Sequence, residues 1–565
     1  MKKIVIVGGV AGGASAAARL RRLDEQAEIV LLERDEHISF ANCGLPYYIG
    51  ETILNRNKLL VQTPEAMRTR FAIDVRVYSE VTAVHPDKKT ITVNSKDRGQ
   101  YEESYDYLIL SPGAKPIRPN IPGIYSNRIL TLRNIPDTDR IKALVDQDAT
   151  RRAVVIGGGF IGLEMAENLK ERGLEVSVVE AAPHVLAPFD SDMSVLVERE
   201  LKENGIDLFL SDGVASFQEQ PDTITVTLQS GKILATDIVI LAIGVAPETS
   251  FLAGSGITLG RRGHIIVNDQ MKTSQPDIYA VGDAIEVVDF ISGQPTAIPL
   301  AGPANKQGRI AADNIAGISS RFQGSQGTSI LKVFSLTAAS TGNNERTLKQ
   351  LGTHYHVAIV HPNSHATYYP GSQPLTIKLL FDDSGRILGA QSIGLEGVDK
   401  RIDVIATVIR LKGTVSDLTE LELAYAPPYS SAKDPVNMVG FVAENILSGL
   451  CDAFTYDQLS SFSQEETILL DVRTETEFAN GYLPGALNIP VDELRQRMSE
   501  LDKEKLILVY CQVGLRGYIA SRILSQNGFR VKNMTGGYKS AAPALAKSPV
   551  APCGMALDPE TQVMR

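Results

Sequence analysis

Two cysteines stand in loops whose composition suits sulfur chemistry. Cys43 lies in the stretch SFANCGLPYYIG, and Cys511 follows the apolar run LILVY and opens the loop CQVGLR, which ends at Arg516. A thiolate is a strong nucleophile, and nearby cations or helix N-termini stabilise it. The chain has four cysteines, without the spacing of a metal site or of a disulfide framework. This usage predicts a reducing, cytoplasmic location and no bound metal.

Cys43 lacks the partner that an internal redox disulfide needs. The fifth residue after it is Tyr48, so the chain has no CxxxxC pair at this point. One interpretation is a buried, inert cysteine. The other is a single redox thiol that forms a mixed disulfide, a persulfide or a sulfenic acid and is then reduced. We expect Cys451 and Cys553 to be non-catalytic.

A glycine-rich turn upstream of Cys43 predicts a dinucleotide site. The apolar run KIVIV leads into it, an alanine-rich helical stretch follows, and Glu33 ends the next apolar run. A helix N-terminus can bind a pyrophosphate, and an acid at the second strand end can bind ribose hydroxyls. Valine replaces the middle glycine of the GxGxxG pattern. The turn consists of Gly8, Gly9, Val10, Ala11, Gly12 and Gly13.

The same order of strand, glycine turn, helix and strand returns at residues 152–180. Glu164 lies in the helix, and Glu180 ends the second strand. A carboxylate there bonds a ribose 2′-hydroxyl and repels a 2′-phosphate. Alanines follow Glu180, with no arginine to hold a phosphate, so the pattern predicts NADH rather than NADPH. The turn has the complete GxGxxG pattern, with glycines at Gly157, Gly159 and Gly162.

A second stretch extends the first dinucleotide site. TSQPDIYAVGDA ends near Gly282 and Asp283, where an aspartate can bind the ribityl or pyrophosphate region of FAD. With the first turn, it resembles the FAD signature of the pyridine nucleotide-disulfide oxidoreductases, over about residues 1–447. The resemblance implies that FAD also contacts Arg34 and Gly113. Two dinucleotide sites imply transfer of a hydride from nicotinamide to flavin, and of electrons onward.

The phrase SFANCGLPY closely resembles the active site of the coenzyme A-disulfide reductases, a single-cysteine branch of this superfamily. The resemblance implies a bound coenzyme A beside Cys43. Arg19 and Arg22, at positions i and i+3, share a helix face and could grip phosphates. Arg70 stands beside Phe71, where family members often have a basic residue. Further positions that match coenzyme A contacts are Ser15, Ser39, Asn42, Asn305 and Lys433.

The stretch AYAPPYSSAKDPVN contains Tyr425, which matches a flavin-side tyrosine of that family. Tyr368 of HATYYPG is its expected companion, and Tyr369 is the alternative. The resemblance implies a homodimer in which these residues and Lys433 reach the active site of the partner subunit. A tyrosine hydroxyl near Cys43 could protonate a leaving thiolate.

The loop around Cys511 resembles that of a rhodanese domain. Backbone N–H groups at a helix N-terminus, together with Arg516, would stabilise a thiolate or a persulfide there. The resemblance implies that Cys511 carries sulfane sulfur, and an inactive interaction module is the alternative. The matching pieces are Asp471-Val472-Arg473, Pro484-Gly485-Ala486, the CxxxxR loop and Gly536-Gly537-Tyr538.

Several α/β domains are needed to position these residues. We predict two Rossmann-like dinucleotide-binding domains, an α+β dimerisation domain and a C-terminal α/β rhodanese domain, which a chain of 565 residues can accommodate. The predicted boundaries are 1–114 with 241–325 for FAD, 115–240 for NAD, 326–447 for dimerisation, 448–455 for a linker, 456–540 for the rhodanese domain and 541–565 for a tail.

Composition narrows the classes of partner. The net charge is −10 and the sequence pI is about 5.5, which argues against nucleic acid or an anionic membrane as the main partner. We find no apolar run of the length that spans a bilayer. The expected partners are therefore small sulfur compounds and a second copy of the chain.

The sequence favours an NADH-dependent flavoprotein that reduces coenzyme A persulfide, polysulfide or coenzyme A disulfide through Cys43, while Cys511 carries sulfane sulfur. One alternative is an NADH oxidase or peroxidase in which Cys43 cycles through sulfenic acid. Another is a sulfurtransferase or redox sensor whose flavin part is regulatory.

Overall fold

The computed structural model describes residues 2–545, which form two compact units. The first contains residues up to Leu186 together with Leu201–Gly327, and the second contains Ala187–Glu200 together with the chain from Thr328 onward. The predicted tail begins inside the helix Gly537–Leu545, and its remainder, with Cys553, lies outside the described residues. No helix of the described part is long and apolar enough to cross a membrane.

The first parallel sheet leads into the N-terminal glycine turn. Its five strands are short, buried runs of mainly Val, Ile and Leu, as strands covered on both faces require. Across the sheet, the strands are Ile278–Ala280, Tyr107–Leu110, Lys3–Val7, Glu28–Leu32 and Asp74–Arg76. The helix Gly12–Leu23 packs on the helix Ala301–Ile315. Small residues permit this contact, since a Cβ on Gly308 would lie 2.3 Å from the Gly12 carbonyl oxygen.

A second five-stranded parallel sheet repeats this plan. The helix Phe160–Glu171 follows its first strand and glycine turn, as predicted. Across the sheet, the strands are Asp207–Leu210, Glu175–Glu180, Arg152–Ile156, Ile238–Leu241 and Ile129–Leu130. The two sheets confirm the predicted pair of Rossmann-like units.

Smaller sheets and short helices complete the first unit. Two three-stranded sheets are formed by Ser79–His85, Thr90–Ser95 and Gly99–Ser104, and by Val214–Glu219, Ile224–Leu228 and Ile233–Thr236. Further strands are Ala114–Pro116 with Val245–Pro247, and Ile265–Ile266 with Ile285–Val288 and Pro295–Thr296. The other helices are Leu45–Ile49, Pro64–Phe71 and Ile135–Val145, while Ser191–Glu203 crosses the boundary between the units.

The second unit begins with a five-stranded antiparallel sheet, which confirms the predicted α+β dimerisation domain. Across the sheet, the strands are Ser329–Val333, Leu336–Gly342, Ile387–Gly394, Leu375–Phe381 and His356–Val360. The helices are Glu345–Leu351, Val398–Arg410, Val415–Glu420 and Pro435–Leu447. Lys378 is fully buried in this sheet, and its ammonium contacts the carboxylates of Asp190, Asp192 and Glu345.

A parallel sheet forms the C-terminal part of the second unit, as the rhodanese prediction requires. Across it, the strands are Ala453–Phe454, Arg530–Met534, Leu506–Tyr510, Thr467–Asp471 and Leu487–Asn488. The helices are Glu475–Ala479, Leu494–Arg497, Leu515–Gln526 and Gly537–Leu545. The central strand ends at Tyr510, so Cys511 lies at the carboxyl edge of a parallel sheet, where such folds bind ligands.

Candidate functional site

Both glycine turns are shaped by close backbone approaches. A Cβ on Gly13 would lie 1.9 Å from the Gly8 carbonyl oxygen, and one on Gly162 would lie 1.9 Å from that of Gly157. Gly8 and Gly157 also have positive φ angles, of 92° and 107°. Each turn therefore requires glycine at these positions, and it brings the start of the following helix to the end of the strand.

An acid braces each turn at the end of the second strand. The Glu33 carboxylate accepts a hydrogen bond of 2.9 Å from the Gly9 N–H. The Glu180 carboxylate accepts one of 2.7 Å from the Gly158 N–H. Burial raises the pKa of Glu33. The two acids thus have the same position in both units, and their remaining lone pairs are the acceptors that ribose hydroxyls need.

A cavity in the first unit collects most of the predicted FAD contacts. Its lining includes Gly8, Val10, Ala11, Gly12, Glu33, Arg34, Asn42, Gly113, Gly282 and Asp283. Gly9 and Gly13 instead lie beneath the turn, against Ile38 and the Gly8 carbonyl. Burial raises the pKa of Asp283, while Arg133 acts in the opposite direction.

Arg133 and Glu248 also line this cavity, and sequence reasoning missed both. Arg133 donates a hydrogen bond of 2.5 Å to the Ala114 carbonyl oxygen. Glu248 pairs with Arg34, at 2.8 Å between Nη2 and Oε2. Neither residue belongs to a recognisable motif, so the sequence carried no signal for them.

The residues of the cavity fit a flavin dinucleotide. The first glycine turn allows a close approach to its backbone at Gly8 and Gly12, and Glu33 and Asp283 provide acceptors. In addition, the buried side-chain oxygen of Asn42 has no hydrogen-bond partner among the described residues. A buried polar atom without a partner is costly, so a ligand donor at this point would stabilise the folded site.

Cys43 lies in the short 3₁₀ turn Asn42–Gly44, directly after this orphaned amide, and is exposed. Partial burial raises the pKa of its thiol, and the charges of Glu164 and Asp283 add to the effect. We expected neighbouring dipoles to favour the thiolate. The protein groups around Cys43 act in the opposite direction, because they partly bury the thiol and because both nearby charges are negative.

Glu164 lies on the helix that follows the second glycine turn, and its charge acts on Cys43. Burial, reinforced by Glu167, raises the pKa of Glu164 to about 7. Tyr47 donates a hydrogen bond to this carboxylate, and burial raises the pKa of Tyr47 to about 12. Glu164 was predicted from its motif, but Tyr47 was not. Glu164 is therefore placed to change its charge near Cys43 at neutral pH.

Seven of the eight residues that match coenzyme A contacts lie in the first unit, and Lys433 lies in the second. The Ser15 hydroxyl donates to the Asn305 side-chain oxygen, so these two positions are adjacent. Arg19 is already paired, with 2.7 Å between its Nε and the buried Asp313 carboxylate. Ser39 has a positive φ of 45° next to the Cys43 turn. Arg22 and Arg70 are exposed on their helices.

Tyr368 and Tyr425 lie side by side in the second unit. Their hydroxyls are 2.7 Å apart, and the residues are 74% and 47% exposed. Tyr369 instead packs edge-on against His365, with ring centroids 5.7 Å apart. Lys433 is exposed immediately before the start of the helix Pro435–Leu447. The structure thus pairs Tyr425 with Tyr368 rather than with Tyr369.

The Cys511 loop is held by backbone contacts. The Gly514 N–H donates to the Cys511 sulfur at 3.1 Å, and Gly514 has a φ of 102°. From the other side, the Tyr538 N–H donates to the Cys511 carbonyl oxygen at 2.7 Å. Gly537 passes so near that its Cβ would lie 2.4 Å from the same oxygen. The segment Gly536–Tyr538, here called the brace, therefore fixes the loop.

Two arginines near the loop are each paired with a carboxylate. Arg516 makes a bidentate contact with Glu477, at 2.6 and 2.7 Å. Arg473 is buried, lies 2.6 Å from the Asp471 carboxylate and stacks over the Tyr538 ring. Sequence reasoning found both arginines but not Glu477. The one feature of the sequence that indicated a role for Glu477 was its spacing from Thr474, with which it forms a capping box.

Three family profiles match the chain. The pyridine nucleotide-disulphide oxidoreductase profile matches residues 2–308. The dimerisation domain of that family matches residues 328–435. The rhodanese-like domain matches residues 455–542.

Similar proteins cover between 79% and 96% of the chain. Coenzyme A disulfide reductase of Staphylococcus aureus is 41% identical over 447 residues, which are 79% of this chain and 100% of that protein. The crystal structure of reduced CoADR-RHD from Bacillus anthracis is 53% identical, covers 96% of this chain and 98% of its own, and has a TM-score of 0.95. The NAD-dependent persulfide reductase from A. fulgidus is 36% identical, covers 95% and 99%, and has a TM-score of 0.89.

Proposed function

The chain belongs to the pyridine nucleotide-disulphide oxidoreductase family, and on that premise we propose that it is an NADH-dependent reductase of coenzyme A persulfide, polysulfide or coenzyme A disulfide. The observation that carries the proposal is the position of Cys43. It follows the orphaned Asn42 amide at the flavin cavity, and the other cysteines of the described residues, Cys451 and Cys511, belong to the second unit. We infer that the sulfur that reacts with Cys43 comes from a substrate.

The chemistry of Cys43 follows from a lone thiolate. It attacks the coenzyme A-bound sulfur of the persulfide, the S–S bond breaks, and hydrosulfide leaves with the electron pair. Cys43 is then in a mixed disulfide with coenzyme A. When bound, FAD and NADH supply the two electrons that reduce this disulfide. Overall, the persulfide, NADH and one proton give coenzyme A, hydrogen sulfide and NAD⁺.

The residues around Cys43 have supporting roles. Asn42 and Ser39 would seat the coenzyme A sulfur, and Glu164 would move protons, since its pKa of about 7 matches that task. We propose that the Tyr368–Tyr425 pair of a partner subunit donates a proton to the leaving thiolate. The match to a dimerisation domain and the exposure of both tyrosines support this homodimeric arrangement.

The cofactor preference follows from the second glycine turn. Glu180 is fixed by the Gly158 N–H, and the two residues that follow it are alanines, which offer no charge to a 2′-phosphate. The name of the A. fulgidus relative, an NAD-dependent enzyme, agrees. We infer that NADH is the preferred donor over NADPH.

Coenzyme A would also connect the two cysteines. We propose that a bound coenzyme A arm accepts sulfane sulfur from Cys511 and presents it to Cys43. In this scheme, Cys511→Ser impairs the turnover of polysulfide more than that of small free persulfides. Equal losses with both substrates would contradict the shuttle.

The test is anaerobic NADH oxidation with coenzyme A persulfide, polysulfide and coenzyme A disulfide, for wild type, Cys43→Ser and Cys511→Ser. We expect Cys43→Ser to abolish all three activities and Cys511→Ser to spare coenzyme A disulfide. Faster oxidation with peroxide or oxygen would make the protein an oxidase or peroxidase. Polysulfide turnover that survives Cys43→Ser but not Cys511→Ser would make it a sulfurtransferase.

A further inference from the structure

The second reactive cysteine, Cys511, must discriminate between chemically different sulfur donors. Its thiolate attacks a sulfane sulfur, the S–S bond of the donor breaks, and the electron pair leaves with the rest of the donor. Cys511 becomes a persulfide without net oxidation. Thiosulfate and the sulfite that leaves from it are both dianions, whereas an organic persulfide releases a thiol. A site for thiosulfate therefore needs cations that are not already neutralised.

Both arginines near the Cys511 loop are already paired with carboxylates. Arg516 is held by both oxygens of Glu477, at 2.6 and 2.7 Å. Arg473 is held by Asp471 and also donates to the Gly481 carbonyl oxygen at 2.7 Å. The two pairs have no net charge. Arg516 also interacts with the Cys511 sulfur itself. A dianion at Cys511 would therefore meet guanidinium groups whose charge a carboxylate already balances.

Lys539 is a third cation beside the loop, and burial opposes its charge. Its backbone N–H donates to the Gln512 carbonyl oxygen, so it lies next to the loop. Its pKa is lowered, by burial first and then by the charge of Arg199. The surroundings of its ammonium thus disfavour its charge, whereas the two arginines are balanced by carboxylates.

Glu477 is itself rigidly placed. Its Oε2 accepts hydrogen bonds of 3.0 Å from both the backbone N–H and the hydroxyl of Thr474. Arg516 and Thr474 together lower the pKa of Glu477 to about 2, so the carboxylate stays ionised at neutral pH. The negative charge that neutralises Arg516 is therefore present at neutral pH and is held in a fixed position.

The side chains of the loop point to the same class of donor. Val513 and Leu515 flank Gly514, and Ile519 follows one turn later on the helix. These three apolar residues are 36%, 61% and 42% exposed. Between Cys511 and Arg516, the loop has no other charged residue. An apolar rim favours the carbon chain of an organic persulfide over a small hydrated dianion.

We propose that Glu477 determines donor specificity: it neutralises Arg516, so that Cys511 takes sulfur from organic persulfides and polysulfides and rejects thiosulfate. This inference rests on the proposed sulfur-carrying function of Cys511. In Glu477→Gln, the Arg516 guanidinium is free for the sulfonate group of thiosulfate. Hydrogen bonds to a charged group are worth about 1.5–3 kcal/mol, so kcat/KM for thiosulfate should rise about tenfold or more.

The test uses the full-length protein with Cys43→Ser as background, so that the reductase reaction is silent. Sulfur transfer to cyanide is measured as thiocyanate, with thiosulfate or 2-hydroxyethyl persulfide as the donor. The variants are Glu477→Gln, the charge-conserving Glu477→Asp and the matched control Glu475→Gln, which removes an exposed charge from the same helix. Thermal unfolding of each variant is recorded alongside.

We expect Glu477→Gln to gain on thiosulfate by about tenfold and to stay within threefold on the persulfide. Glu477→Asp and Glu475→Gln should keep the wild-type preference. Wild type that uses both donors equally would overturn the inference, as would parallel losses in Glu477→Gln and Glu477→Asp. Sulfur transfer that survives Cys511→Ser would show that Cys511 is not the sulfur carrier, so the proposed function would be wrong. A donor preference that is unchanged in Glu477→Gln would contradict only the role of Glu477.

Discussion

Gly537→Ala should disable the Cys511 site and leave Cys43 chemistry intact. The new Cβ would lie 2.4 Å from the Cys511 carbonyl oxygen, where ordinary contact begins at 3.4 Å. The nearest atoms are all backbone, so the loop must retreat by about 1 Å. A displacement of that size at a reacting atom can cost about a hundredfold in rate.

The positive φ of Gly537 adds a second cost, which a matched glycine isolates. Gly528 also has a positive φ, of 84°, but its Cβ would meet nothing within 4 Å. Gly528→Ala therefore carries only the strain of the left-handed conformation, about 1 kcal/mol. The difference between the two variants measures the clash with the loop.

The assay is single-turnover loading of Cys511 with polysulfide, followed by intact mass spectrometry. NADH-linked reduction of coenzyme A disulfide reports on Cys43 in the same samples. We expect loading to fall about tenfold to a hundredfold in Gly537→Ala and to stay within twofold in Gly528→Ala. Equal loading rates in the two variants would refute the role of the brace.

Three further predictions concern the cofactor, the acid near Cys43 and the buried lysine. Glu180→Ala combined with Ala181→Arg should reverse a preference for NADH that we expect to be at least about tenfold in kcat/KM. Glu164→Gln should match wild-type thermal stability near pH 4.5 and exceed it above pH 7. The reason is that a carboxyl whose pKa is raised to about 7 on folding loses stability as pH rises between those values. Lys378→Met should destabilise the second unit by about 3–5 kcal/mol in denaturant unfolding, since three carboxylates lose their shared cation. An unchanged unfolding midpoint would contradict that view of Lys378.

Short sequence motifs predicted those parts of the sites that are formed by residues close together in the chain. The glycine turns with Glu33 and Glu180, and the loop from Cys511 to Arg516, are each set by a few neighbouring residues or by one βαβ unit. Contacts between distant segments were not predictable in this way. Arg19 meets Asp313 across 294 residues, and Glu477 meets Arg516 across 39. Such pairs depend on how helices pack. The sequence of an arginine-rich helix does not show whether a carboxylate from a distant segment pairs with it in the fold.

The prediction for the Cys511 site also left out what holds its brace. The Thr535 hydroxyl accepts a hydrogen bond of 2.8 Å from the Ile359 N–H of the antiparallel sheet. A Cβ on Gly536 would lie 2.8 Å from the Ile359 side chain. Beyond the brace, the His361 ring and the Ser540 hydroxyl are 2.8 Å apart. The segment that positions Cys511 is therefore anchored at both ends on one edge strand of the dimerisation domain.

This anchoring makes the geometry of the sulfur site a property of the whole second unit. Burial lowers the pKa of His361 to about 3, so its ring stays neutral and its bond to Ser540 persists at neutral pH. Thr535→Val would leave the buried Ile359 N–H without a partner, at a cost of about 1–3 kcal/mol. Because the lost bond adjoins the brace, loading of Cys511 should slow along with the loss of stability. Normal loading in a destabilised Thr535→Val protein would show that the brace holds the loop without the sheet.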